Sequence, residues 1–189
     1  MLVAARALFE QGGYPATTIE AIAARSGVAK TTIYRWWPHR AALVVELLLH
    51  VAAAAAPPPA GRDPMRAIRV ELRRVTKAAD GLQGRLLLSL LGESQQDPEV
   101  RAALLKGLFN PRRMATASVI RQAQVAGALR KDVPPLVAVD LFYGPLFYRK
   151  FIRQEPVTEG FVREVFRNVL AGLGARPRAT RSGRRKAAG

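Results

Sequence analysis

Residues 19–37, IEAIAARSGVAKTTIYRWW, constrain the fold of this chain more than any other stretch. Apolar Ile19, Ile22 and Ala23 recur at helical spacing, Gly27 breaks the pattern, and Val28, Ile33 and Trp37 resume it. Two short helices joined by a tight turn satisfy that pattern. Helices that cross steeply need a small side chain where their backbones approach, which is Ala23, and a turn residue tolerant of positive φ, which is Gly27. Ile33 then drops into the shared core. The second helix presents Lys30, Thr31, Thr32, Tyr34 and Arg35 outward, a surface suited to a DNA groove.

Bulk charge does not carry this assignment. The net charge is +16, yet residues 1–50 hold 5 basic residues against 3 acidic ones, while residues 174–189 alone carry +6. The excess lies away from the proposed reading head, so spacing has to make the case. No apolar run reaches the roughly 18 residues of a membrane span, and no secretory leader is recognisable. There is no cysteine, hence neither disulfides nor thiolate metal sites, and a cytosolic location is expected. An enzyme is the first competing reading. Only His39 and His50 are available as imidazoles, no glycine-rich phosphate loop occurs, and no catalytic, metal or cofactor site is expected. A basic amphipathic protein that binds membrane surfaces, or DNA without specificity, is the second, and it leaves Ala23, Gly27 and Ile33 unexplained.

Upstream, residues 1–11 place Leu2, Ala5, Leu8 and Phe9 on one side of a short helix closed by Gly12 and Gly13. Thr17 and Glu20 have the spacing of a capping box, so Thr17 or Thr18 opens the next helix. Trp37 shares the register of Ile33 and belongs to the core, whereas Trp36, about 100° round the helix, belongs to the surface.

The segment ARALFEQGGYPATTIEAIAARSGVAKTTIYRWWPHRAALVVE, residues 5–46, resembles the DNA-binding segment of the tetracycline-repressor-like (TetR) family of bacterial regulators. The landmarks are LF at 8 and 9, GY at 13 and 14, TTI at 17–19, IA at 22 and 23, and GV at 27 and 28. Lys30, Thr32, Tyr34, Trp37, Arg40 and Leu43 continue in the same register. The resemblance implies that Lys30, Thr31 and Thr32 approach base edges while Thr18, Tyr34 and Arg40 hold phosphates, with Arg35 and Trp36 open to either role. Their chemistry agrees: lysine donates to guanine, threonine offers a hydroxyl or a methyl to a base, and tyrosine and arginine donate to phosphate oxygens. Members of the family commonly carry Ser-Lys where this chain has His39-Arg40. Arg40 keeps the charge; His39 leaves the cap of the next helix open. The resemblance further implies an all-α fold of about nine helices, in which a helix-turn-helix domain precedes a larger ligand-binding and dimerisation domain. The implied function is that of a homodimeric repressor released from double-stranded operator DNA by a small apolar or amphipathic ligand.

Downstream the periodicity is helical throughout. A helix from about Arg40 runs into an alanine string that Pro57, Pro58 and Pro59 stop, which sets expected domains at 1–56 and 57–174, with a basic tail at 175–189. The tail has no acid and little that packs, so composition makes it disordered; nonspecific DNA affinity and mere solubility both fit it. Met65, Ile68, Leu72, Val75 and Ala79 form an apolar stripe beside Arg66, Arg69, Arg73, Arg74 and Lys77, read as a solvated face. Asp97, Pro98 and Glu99 form a helix start, which explains the carboxylate cluster with Glu93 better than catalysis does. Pro111 is expected to interrupt a helix, and Pro145 to kink one by freeing the carbonyl of Leu141.

That kink, among aromatic residues, marks a candidate ligand cavity formed by Phe142, Tyr143 and Phe147, with Leu87, Phe109 and Met114 as further candidates. Residues 158–173 carry an apolar face too broad for an edge helix. Phe161, Val165, Phe166, Val169 and Leu173, together with Phe142 and Leu146 of the preceding helix, are therefore expected to meet a symmetry mate. The run GALRKDVPPLVAVDLFYGPLFYRKFI, residues 127–152, also resembles one type of TetR-family regulatory domain.

Overall fold

The computed structural model describes residues 1–53 and 63–174. Most of the proline-rich segment and the whole basic tail lie outside the described residues. Within them the elements are α1 (Leu2–Ala16), α2 (Ile19–Ser26), α3 (Lys30–Trp36), α4 (Arg40–Ala53) and α5 (Pro64–Asp80), then α6 (Leu82–Glu93), α7 (Pro98–Leu104), α8 (Asn110–Val125), α9 (Pro135–Phe147) and α10 (Glu159–Leu173). A π-helical turn at Leu105–Phe109 fuses α7 to α8, and another at Tyr148–Ile152 extends α9, so the described residues form nine helical rods, the first of which is kinked at Gly12 and Gly13. Among the described residues the sole β feature is an isolated bridge between Leu129 and Gly174.

Aspartate or threonine side-chain caps open four of these helices. Asp63 accepts from the amides of Met65 and Arg66, and Asp97 from those of Glu99 and Val100, each with a proline at the first helical position. Thr158 accepts from Phe161 and Thr18 from Ala21. Of the two threonines that the sequence left open, Thr18 is thus the cap. The reciprocal capping box between Thr17 and Glu20 does not form, because Thr17 is fully buried and its hydroxyl donates to the Gly13 carbonyl at 2.8 Å. Asp97 and Glu99 serve as the cap and first-turn acid of α7, as the sequence indicates.

Pro111 does not interrupt its helix. The preceding π turn lets the Asn110 amide reach back five residues to the Leu105 carbonyl, and this wider register accommodates the missing donor. The backbone of α9 likewise stays helical through Pro145; the register widens just beyond it, where the Arg153 amide donates to the Tyr148 carbonyl.

Burial divides the chain differently from the proline-rich segment. Helix α4 buries Ala41, Leu43, Val44, Val45, Leu47, Leu48 and Ala52, nearly its whole circumference, so it packs on two sides at once. Its core joins Phe9, Ile22 and Ile33 of the first three helices to Leu86, Leu90, Val100 and Leu104 of α6 and α7. A second core, in α5, α8, α9 and α10, gathers Ile68, Leu72, Ile120, Phe142 and Val162.

Candidate nucleic-acid interface and regulatory cavity

The reading head is set by a few buried anchors. Gly27 ends α2 in the left-handed conformation (φ 69°), a geometry a side chain would strain. Ile33 is fully buried, and the Trp37 indole is fixed by donating to Glu46 Oε2 at 2.6 Å. Those two anchors turn Lys30, Thr31, Thr32, Tyr34, Arg35 and Trp36 to solvent; Trp36 is 69% exposed and unsupported by the core.

The remaining candidates flank this face. Thr18 is half-buried at the start of α2, its oxygen occupied as a cap and its hydroxyl proton free to donate. Arg40 stacks on the Tyr14 ring with its guanidinium carbon 3.9 Å from the centroid. Lys30 pairs with Glu20 at 3.1 Å across the turn. The Glu20 carboxyl is held below its usual range by a hydrogen bond from its own backbone amide and then by Lys30. The pair draws the lysine toward α2.

His39 resolves the cap that the sequence left open. Its Nδ1 accepts from the Ala42 amide at 3.2 Å, which makes it the N-cap of α4. An accepting Nδ1 leaves the proton on Nε2, which faces Glu99 at 3.5 Å and Asp97 at 3.8 Å at the start of α7. One imidazole therefore joins the base of the reading head to the next layer of helices.

Behind α4 lie two adjoining cavities. An open groove of about 700 Å³ is floored by Leu49, Ala52 and Ala53 of α4 and walled by α5 and α8. A smaller cavity of about 200 Å³ reaches toward Leu87, Phe109, Phe147 and Phe151. Glu71, Leu108 and Arg112 line both. The aromatic wall is continuous, with ring centroids 6.2 Å apart for Phe109 and Phe147 and 4.7 Å apart for Phe147 and Phe151.

The polar groups there are few and heavily constrained. Glu71, whose side chain is 6% exposed, accepts a fork of hydrogen bonds from Arg74 at 2.7 and 2.8 Å. Tyr143 shares a 3.2 Å hydrogen bond with Thr116, and burial pushes its phenol up to about 12. Burial also lowers Arg112, and the neighbouring Arg74 charge adds to that effect. Arg112 Nη2 donates a long 3.4 Å bond to the Ala52 carbonyl on α4.

Residues 1–47 match the family described as bacterial regulatory proteins, tetR family, and residues 65–169 match the tetracyclin repressor-like C-terminal domain. Over 93% of its length the chain is 30% identical to the HTH-type transcriptional regulator YdeS of Bacillus subtilis (strain 168), covering 88% of that protein. The chain belongs to the TetR family. Among solved structures, the TetR family transcription regulator SCO0332 superimposes with a TM-score of 0.76 at 32% identity, over 91% of this chain and 95% of the other. The Thermus thermophilus FadR, a TetR-family repressor solved in complex with lauroyl-CoA, shares the fold with a TM-score of 0.70 at 22% identity, over 96% of this chain and 97% of that one.

In this TetR-family chain the sequence-derived cavity residues divide. Leu87, Phe109, Tyr143 and Phe147 line the smaller cavity. Met114 does not: it is 52% exposed on α8. Phe142 does not either, since it is fully buried in the second core against Phe166, with centroids 5.7 Å apart. The residues of the expected dimer face differ in exposure within the protomer. Phe142, Leu146, Val165 and Leu173 are buried, and Phe161, Phe166 and Val169 are partly buried against the same core. Exposed apolar side chains instead run along α9 and its π extension as Val137, Leu141, Tyr148 and Ile152, spaced as one helical stripe.

Sequence reasoning missed Tyr14, Glu20, Glu71, Arg112 and Phe151. Glu71 alone carried a usable signal: it sits one turn from Ile68 and beside Leu72, on the apolar side of an otherwise basic helix.

Proposed function

We propose that this TetR-family regulator is a cytosolic homodimeric repressor that holds operator DNA when empty and releases it when a small apolar or amphipathic molecule enters the regulatory cavity. The observation that carries the reading is the placement of α4. Trp37 at the end of α3 donates to Glu46 of α4, and the last turns of α4, through Leu49, Ala52 and Ala53, floor the larger cavity. A ligand that favours one position of α4 therefore biases the reading heads, and the bias equals its differential affinity for the two states. The lauroyl-CoA held by the similarly folded Thermus FadR gives a precedent for an amphipathic ligand in such a domain.

In this reading Lys30, Thr31 and Thr32 approach base edges, Thr18, Tyr34 and Arg40 clamp phosphates, and Arg35 and Trp36 contact either. The stripe of Val137, Leu141, Tyr148 and Ile152 packs against its copy, and the two heads span successive major grooves about 34 Å apart. The test is a footprint and mobility shift on DNA upstream of the protein's own gene, with Lys30→Ala and Tyr34→Ala alongside. Protection that disappears with either substitution is expected. Specific binding indifferent to both would overturn the assignment of α3.

A further inference from the structure

We infer that the regulatory ligand carries a single anionic group on an apolar body, and that Arg112 is the residue that receives the anion. This rests on the ligand-released reading above and narrows it to a chemical class. The charge census of the smaller cavity makes the case. Its ionisable lining consists of Glu71, Arg112, Arg113 and Asp140, with Arg74 adjoining in the groove. Two of the three cations are matched: Arg74 by Glu71 and Arg113 by Asp140 at 2.6 Å.

Arg112 is the odd one. Among the described residues it makes no ion pair, and residues 54–62 and 175–189 contain no aspartate or glutamate that could supply one. Both Glu71 oxygens are taken by the Arg74 fork, and the nearby Tyr143 phenol, with its pKa near 12, is a neutral donor that adds no negative charge. A guanidinium withdrawn from water favours a charged acceptor far more than a neutral one, and its planar fork matches a carboxylate. Beyond it the cavity is apolar and aromatic, through Leu87, Phe109, Phe147 and Phe151. One charge and one apolar body exhaust what the site offers.

Calorimetric titration of the full-length protein with matched probes tests this. Octanoate is set against octan-1-ol, and naphthalene-2-carboxylate against naphthalene-2-methanol. Each acid is expected to bind about tenfold or more tightly than its alcohol, the difference a desolvated charged hydrogen-bonded pair supplies. Arg112→Gln is expected to abolish that preference while keeping alcohol binding, Arg112→Lys to retain part of it, and Arg113→Gln, whose partner is Asp140, to leave it unchanged. If Arg112→Gln fails to fold, the Arg112→Lys and Arg113→Gln pair decides. Alcohols that bind as well as acids, acids that fail to bind at millimolar concentration, or a preference lost equally in Arg113→Gln would overturn the inference. Mobility shifts with the same probes separate it from the reading beneath. Acid binding that depends on Arg112 without operator release sinks ligand control and leaves the anion site standing; release by the alcohols does the reverse.

Discussion

Replacement of Glu71 by alanine provides a quantitative test of how the cavity is held together. Its carboxylate is the sole anion between two guanidinia, with its side chain 6% exposed and two hydrogen bonds of 2.7 and 2.8 Å to Arg74. Breaking a buried pair by removing one partner costs about 3–5 kcal/mol. The Arg74 side chain is 24% exposed and regains some water, which places the expected loss near the lower end, about 3 kcal/mol. For a chain of this size that corresponds to a fall in Tm of about 6–12 °C. The double variant Glu71→Leu with Arg74→Met removes both charges and fills the space, so it is expected to stay within about 1 kcal/mol of the parent. Urea denaturation followed by circular dichroism measures all three proteins. A single variant that loses less than about 1 kcal/mol, or a double variant as damaged as the single, would refute the buried-pair argument. In the same proteins Glu71→Gln is expected to raise carboxylate affinity, since it removes the carboxylate that lies beside Arg74 and Arg112.

Three further outcomes follow from the geometry. His39→Ala removes the cap of α4 and is expected to cost about 1 kcal/mol, with His39→Asn restoring most of it; equal stability of the two variants in urea would count against the cap. Leu141→Asp with Ile152→Asp is expected to yield a folded monomer in sedimentation, whereas Phe142→Asp, in the core, is expected to unfold the protomer; a dimer that survives the double substitution contradicts the α9 stripe. Tyr143 has a folded pKa of about 12 against 10.0 for the free phenol, so the folded state keeps a proton that the unfolded chain gives up. The stability it contributes is whole below pH 10 and drains away as pH climbs toward 12, so the urea midpoints of wild type and Tyr143→Phe should converge over that interval.

The reading head was legible because its constraints are local. Gly27, Ile33 and Trp37 act within one or two turns, and their spacing survives in the sequence as a pattern. Trp36 and Trp37 were separable for the same reason: one residue of helix rotation decides which ring meets the core. The regulatory domain was legible only as helices. Helical periodicity reveals that a face is apolar without telling how much of that face meets its own chain and how much is left for a copy, as on α10, where Val162 and Val165 are buried and Phe161 and Phe166 only partly so. Phe142 and Met114 failed on the same ground, since neighbouring aromatic and apolar residues on one rod diverge by about 100° per step. Arg112 and Glu71 meet across two helices far apart in sequence, and no local pattern records such a meeting. Pro111 misled for a subtler reason: the rule about a missing amide was sound, but the chain met it beside a widened turn.

Those widened turns also shape the smaller cavity. Leu108 and Phe109 come from one, Phe151 from the other, and Phe147 stands at the edge of the second. A π turn is one residue of surplus in an α-helix, and deleting it rotates everything beyond by about 100°. The aromatic wall is therefore specified by chain length as much as by residue identity. A one-codon deletion in either turn would turn a new set of side chains toward the bound molecule while leaving the reading head as it is, a route to a changed inducer that point substitution does not offer.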